Sequence, residues 1–219
     1  MHSTVQKLII IENKIKSNLE DLKINNLPKI IAVSKTFKLD KILPLIDYGH
    51  IDFGENKIQE AVDKWTDIKE KNTNIQLHMI GKLQTNKVKL AVKLFDYIHS
   101  VDSEKLAKKI VDEQEKINKK IKIFIQVNIG KENQKSGIDK ARVNDLIVYC
   151  KKINLNVAGL MCIPPVNDDP KVYFREIFLM NTKFNFSDLS IGMSSDFLEA
   201  SQNGATYLRI GSSIFGKRF

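Results

Sequence analysis

Apolar residues recur along this chain in two rhythms. Over residues 4–24, Val5, Leu8, Ile9, Ile11, Ile15, Leu19 and Leu22 are spaced by charged positions at the period of an amphipathic helix. Beyond it, short β-rich apolar runs alternate with longer helical patterns. Strands are predicted near 29–34, 51–53, 75–80, 96–99, 121–127, 156–161, 188–191 and 206–210. Helices fill the intervals near 39–48, 56–71, 83–94, 103–119, 139–152, 171–183 and 195–203. This alternation predicts parallel strands joined by right-handed crossovers. Eight strands close a (β/α)8 TIM barrel, here with an extra N-terminal helix, although an open doubly wound sheet shares the local pattern. No Gly-x-Gly-x-x-Gly follows the first strand, so the open sheet lacks its main support. A single domain, 1–219, is expected.

Polar or glycine residues mark the ends of many strands: Ser34-Lys35, Gly54-Glu55-Asn56, Gly81, Asn128, Gly192-Met193-Ser194 and Gly211-Ser212-Ser213. In a barrel those ends converge on the face that carries active sites. Lys35 follows the apolar run Ile30-Ile31-Ala32-Val33. Desolvation lowers the pKa of an ammonium and frees the amine to attack an aldehyde, whereas a lysine snorkelling into water is the structural alternative. Gly211, Ser212 and Ser213 lead from the last strand toward a short helix, and Gly192-Met193-Ser194-Ser195-Asp196 follows the seventh strand. Glycine admits close backbone approach, and serine hydroxyls with N–H groups suit an anion, at the place where barrels hold phosphate. Two ordinary N-caps account for the same serines.

Strand alternation sets Tyr207 and Arg209 on one face, with Leu208 and Ile210 on the other. The Arg209 guanidinium either hydrogen-bonds a ring nitrogen, which it would keep unprotonated, or joins a structural ion pair. Asn56 either meets a ring hydroxyl or caps the helix after it, and Glu55 is a base or a capping partner. His78, inside an apolar strand, reads first as a packed and hydrogen-bonded residue. Asn128, Lys135, Ser136 and Gly137 form a polar strand-end loop. A lysine and a phosphate cradle in one barrel suit pyridoxal phosphate.

Charge adds a competing class. Thirty-five Lys and Arg against 26 Asp and Glu give a net charge of +9, which invites nucleic acid. The lysines are scattered, however, and the arginines are only Arg142, Arg175, Arg209 and Arg218, unlike a clustered, aromatic-interleaved nucleic-acid surface. Cys150 and Cys162 are too few for a disulfide framework and lack metal-ligand spacing, which points to a reducing compartment and no metal. Leu8-Ile9-Ile10-Ile11 is cut short by Glu12-Asn13-Lys14, unlike a signal peptide, and no apolar run approaches the ~20 residues of a bilayer span. A cytoplasmic protein without a membrane or specific nucleic-acid partner is expected.

Together the segments resemble the pyridoxal phosphate homeostasis proteins, also called the YggS or PROSC family, over nearly the whole chain. The resemblance rests on Ala32-Val33-Ser34-Lys35-Thr36, Phe53-Gly54-Glu55-Asn56, His78-Met79-Ile80-Gly81-Lys82-Leu83-Gln84-Thr85-Asn86-Lys87, Lys135-Ser136-Gly137, Gly159-Leu160-Met161, Leu189-Ser190-Ile191-Gly192-Met193-Ser194 and Arg209-Ile210-Gly211-Ser212-Ser213-Ile214-Phe215-Gly216. Met79 stands where that family usually has phenylalanine, and Gln134 is a second small departure. The resemblance implies a fold-type III barrel like the N-terminal domain of alanine racemase, with pyridoxal 5'-phosphate carried as a Lys35 aldimine. It further implies that Ser194, Gly211 and Ser212 hold the phosphate, Arg209 faces the pyridine nitrogen and Asn56 lies beside the ring. The implied role is intracellular homeostasis of the cofactor, vitamin B6 and amino acids without robust catalysis, with cofactor-requiring apo-enzymes as recipients. An amino-acid racemase of low activity, using Tyr207 or His78 as a base, is the alternative. With one cofactor-bearing lysine and no second, dimer-forming domain after the eighth strand, efficient racemisation is not expected and a monomer is.

Overall fold

Each apolar run becomes a strand because every second side chain faces a shared interior and the others face a ring of helices. The computed structural model describes residues 1–130, 132 and 136–217. The elements run α1 (Ser3–Asp21), β1 (Lys29–Val33), α2 (Leu39–Asp47), β2 (Asp52–Glu55), α3 (Ile58–Lys71) and β3 (Gln76–Met79). They continue with α4 (Val88–Leu94), β4 (Tyr97–Val101), α5 (Glu104–Glu115), β5 (Lys122–Val127), α6 (Val143–Lys152) and β6 (Asn156–Cys162). The last are α7 (Pro170–Lys183), β7 (Asp188–Met193), α8 (Phe197–Gln202), β8 (Tyr207–Ile210) and the short α9 (Ser212–Phe215). The eight strands are parallel, paired in chain order, and closed by β8 against β1 from Lys29↔Tyr207 to Ala32↔Ile210. The expected (β/α)8 barrel is therefore present, with α1 as the additional helix.

Two apolar layers divide the alternating side chains. Ile30, Ala32, Leu208 and Ile210 join the large layer between strands and helices, while Ile31, Tyr97, Phe124, Met161 and Tyr207 pack together inside the barrel. The opposed faces read from Tyr207-Leu208-Arg209-Ile210 are thus realised. Helix α1 packs against α2, α8 and α9. No described helix is long and apolar enough to cross a membrane.

Two local differences from the sequence pattern have clear causes. Gly54 and Glu55, read as a turn, are the buried end of β2, because a Cβ on Gly54 would lie 2.8 Å from Ile31 Cγ2 and only glycine fits that interior position. The helical patterns near 83–94 and 139–152 open as 3-10 turns, Thr85–Lys87 and Lys140–Arg142. In the second, the Asp139 side chain accepts from Ala141 N–H at 2.8 Å and starts the tighter turn.

If α1 belongs to the core, Leu19→Ala should cost about 2–5 kcal/mol in denaturant unfolding, because Leu19 is fully buried. Leu22, which is 49% exposed, should change stability by under ~0.5 kcal/mol on the same substitution. Equal, small effects at both positions would show that α1 is not part of the folded unit.

Candidate functional site

The parallel ladder continues one residue past β1, with Ser34 N–H donating to Gly54 O at 3.0 Å. The chain then turns through Lys35 and Thr36. Thr36 has φ 68°, a left-handed conformation that a β-branched residue rarely adopts, so the turn must be held by its surroundings. Glu55 Oε1 accepts from Ser34 Oγ at 2.7 Å, from Lys64 Nζ at 2.9 Å and from Trp65 Nε1–H at 3.0 Å. Lys64 Nζ also donates to Ser34 O at 2.9 Å and to Glu60 Oε1 at 3.0 Å, while Thr36 N–H donates to Glu60 Oε1. Glu55 is fully buried and Lys64 nearly so, with side-chain exposures of 0% and 9%. Glu55 is therefore an anchor of the Lys35 turn.

Lys35 is half-buried and lines a cavity of about 670 Å³ at the C-terminal mouth of the barrel, a volume typical of small-molecule sites. Asn56, Ser194, Arg209, Gly211 and Ser212 line the same cavity, so all six candidate residues meet there. Lys82, Asn128 and Ser136 also reach it, whereas Lys135 lies outside the described residues. The loops after β7 and β8 are stitched together: Gly211 N–H and Ser213 N–H donate to Ser194 Oγ at 3.2 and 3.3 Å, and Ser213 Oγ donates to Ser194 O at 3.4 Å.

Two features mark the cavity as built for a polar ligand. Asn56 Oδ1 is buried and has no hydrogen-bond partner among the described residues, an unfavourable state that a ligand donor would relieve. Gly81 packs its backbone against Asn56, for a Cβ there would lie 2.3 Å from Asn56 O. Arg209 NH1 donates to Ser190 O and Ser190 Oγ, both at 2.7 Å, and NH2 donates to Cys162 O at 2.9 Å. Those bonds engage three of its five N–H donors while the side chain faces the cavity. Burial lowers the Arg209 pKa to about 10, with Cys162 and Asp196 pulling the other way, so the group remains a cationic donor at neutral pH. The Cys162 thiol is pushed up to about 12 by burial, which makes it inert.

His78 and Tyr207, considered as bases, are not among the lining residues. His78 is fully buried and bonds Asp52 Oδ1 at 2.9 Å, while Tyr207 OH donates to Tyr97 OH at 3.4 Å and burial raises its pKa. Sequence reasoning missed Lys64, Glu60, His99 and Ser190. The Glu60–Lys64 spacing of four on one helix and the inward alternation of Tyr97 and His99 were the available signals.

A closed (β/α)8 barrel with a lysine, a serine–glycine rim and an arginine around its C-terminal mouth is the architecture of alanine racemase-like cofactor barrels. The family model described as alanine racemase, N-terminal domain, matches residues 10–218. The pyridoxal phosphate homeostasis protein of Pasteurella multocida (strain Pm70) is 35% identical over 201 residues, covering 87% of this chain and 86% of the relative. That of Escherichia coli (strain K12) is 36% identical over 199 residues, covering 86% and 85%. The solved structure of PipY from Synechococcus elongatus PCC7942 with PLP bound aligns with a TM-score of 0.81 at 30% identity, covering 92% of this chain and 100% of that one. The chain belongs to the pyridoxal phosphate homeostasis protein family.

Removing the cation beneath the Lys35 turn strands the buried Glu55 charge. Lys64→Met should therefore destabilise by about 3–5 kcal/mol in denaturant unfolding, and adding Glu55→Gln should restore part of the loss. A cost below ~1 kcal/mol for the single change would show the pair to be solvated.

Proposed function

We propose that this protein binds pyridoxal 5'-phosphate covalently and reversibly at Lys35 and holds it for delivery, serving cofactor, vitamin B6 and amino-acid homeostasis in the cytoplasm. The observation that carries this reading is the convergence of Lys35, Asn56, Ser194, Arg209, Gly211 and Ser212 on one cavity. In chemical terms they supply an amine for the aldehyde, hydroxyls and N–H groups for the phosphate, a guanidinium for the ring nitrogen and a carbonyl oxygen for the ring hydroxyl. Gly211 adds a backbone that can lie close to the phosphate, its Cα side facing Val33, whose Cβ would be 3.3 Å from an added Cβ. PipY, an alignable barrel, has PLP bound in its solved structure, and the curated relatives are named for homeostasis of the same cofactor.

The cofactor, when bound, supplies an electron sink that depends on a protonated ring nitrogen. Arg209 disfavours that protonation because it is a cation with only donors to offer. Lys35, Lys82 and Arg209 are the ionisable side chains that line the cavity, all three basic, and Lys82 is exposed. Holding and release to cofactor-requiring apo-enzymes therefore fit this cavity better than the alternative of a low-activity amino-acid racemase.

The test is an absorbance titration of the purified protein with pyridoxal phosphate, followed by borohydride reduction and peptide mapping. Reduction should fix one cofactor on Lys35, and Lys35→Ala should give no site-specific adduct. Attachment elsewhere, or none in the wild type, would overturn the reading. An assay of racemisation across the common amino acids, with Lys35→Ala as blank, should show no robust turnover.

A further inference from the structure

Beneath the cavity, the barrel interior holds a line of polar side chains that the binding reading does not use. Asp52 Oδ1 lies 2.9 Å from His78 Nε2, His78 Nδ1 lies 3.0 Å from His99 Nε2, and His99 Nδ1 lies 2.9 Å from Ser190 Oγ. Ser190 Oγ then receives Arg209 NH1 at 2.7 Å. His78, His99 and Ser190 are fully buried, and Asp52 and Arg209 are 6% and 5% exposed. The line begins at the first residue of β2, where Asp52 borders a separate cavity beside α1 and Lys29, and it ends at the cavity that holds Lys35.

The two ends dictate the proton order. A carboxylate only accepts and a guanidinium only donates. With both imidazoles neutral, His78 Nε2–H donates to Asp52, His99 Nε2–H donates to His78 Nδ1, Ser190 Oγ–H donates to His99 Nδ1, and Arg209 N–H donates to Ser190 Oγ. Every donor then points toward Asp52 and every buried polar atom of the line is satisfied. The reverse order would set the lone pair of His78 Nε2 against a carboxylate. Protonating His78 would turn the order around at His99 and leave the Ser190 hydroxyl without its acceptor.

The rings are clamped in these poses. His78 stacks on Tyr97 with centroids 4.4 Å apart and His99 on Phe124 at 4.3 Å. Burial also favours the neutral form of both: His99 is pushed well down, with His78 and Arg209 adding to the effect, and His78 is lowered by burial against the opposing pull of Asp52.

We propose that Asp52, His78, His99 and Ser190 are positioning residues that form one directional hydrogen-bond chain, through which a carboxylate near the opposite mouth orients Arg209 against the bound ring. The cofactor half of this inference rests on the function proposed above; the proton order does not.

Long-range proton–nitrogen NMR of the full chain with labelled histidine, without and with pyridoxal phosphate, tests the order directly. His78 and His99, assigned by single His→Gln variants, should both be neutral with the proton on Nε2. A proton on Nδ1 of either ring, or an imidazolium, would overturn the proposal, and this measurement needs no variant to fold differently from the wild type. Asp52→Leu should release the single tautomer of His99, which Asp52 does not touch, and an unchanged His99 would count against the chain. Ser190→Ala should move the absorbance maximum of the bound cofactor and weaken binding about fivefold while Lys35 still carries it. Lower stability with an unaltered spectrum and affinity would reduce Ser190 to a structural role and overturn the link to the ring. Failure of the wild type to bind the cofactor, with the tautomers as stated, would instead sink the proposed function and confine the chain to the fold.

Discussion

Closing eight parallel strands into a barrel brings alternate side chains from all of them into one narrow interior, and this constraint governs everything else in the molecule. Apolar residues fill most of it, as Ile31, Tyr97, Phe124, Met161 and Tyr207 show. Any polar group placed there must find its partner on another strand, because a buried donor or acceptor left alone costs about 1–3 kcal/mol. The interior of this protein meets that demand by joining polar residues across strands. Asp52, His78, His99, Ser190 and Arg209 come from β2, β3, β4, β7 and β8, and His99 reaches a serine 91 positions away.

The same constraint shapes the cavity at the mouth. Lys35 stands just past β1 in a turn that Thr36 strains, and the turn keeps its shape because Glu55, Glu60 and Lys64 bind it from below. The adjoining rim is formed by loops after β7 and β8 that share the Ser194 hydroxyl. Lys35 and this serine–glycine rim thus sit on separate strand ends, and their relative position is fixed by barrel closure between β8 and β1. The proposed carrier role would need this much rigidity and little more: a covalent anchor, a grip on the phosphate and a guanidinium that restrains the ring's chemistry.

The fold was legible because its signal is periodic. Eight apolar runs spaced by helical patterns leave few alternatives, and polar residues at the strand ends mark the face on which the cavity opens. Five of the site candidates were legible because each lies just beyond a strand end, and Arg209 because alternation along β8 sets it on the Tyr207 face. What escaped the sequence depends on register between distant strands. Nothing local to Glu55 announces that Lys64, Ser34 and Trp65 will all turn toward one of its oxygens. Gly54 looked like a turn because a glycine demanded by a crowded interior is indistinguishable, in sequence, from one demanded by a bend. His78 was read correctly as packed, yet its partners Asp52 and His99 lie 26 and 21 residues away, beyond any local pattern.

The central claim is that one cavity at the C-terminal mouth takes pyridoxal phosphate with Lys35 as its anchor. A crystal structure of the protein grown with the cofactor tests it most directly. The account predicts continuous electron density between Lys35 Nζ and the cofactor, with the phosphate against Ser194, Gly211 and Ser212 and the ring nitrogen toward Arg209. Density for the cofactor on another lysine, or a mouth that remains free of it at saturating concentration, would contradict the account.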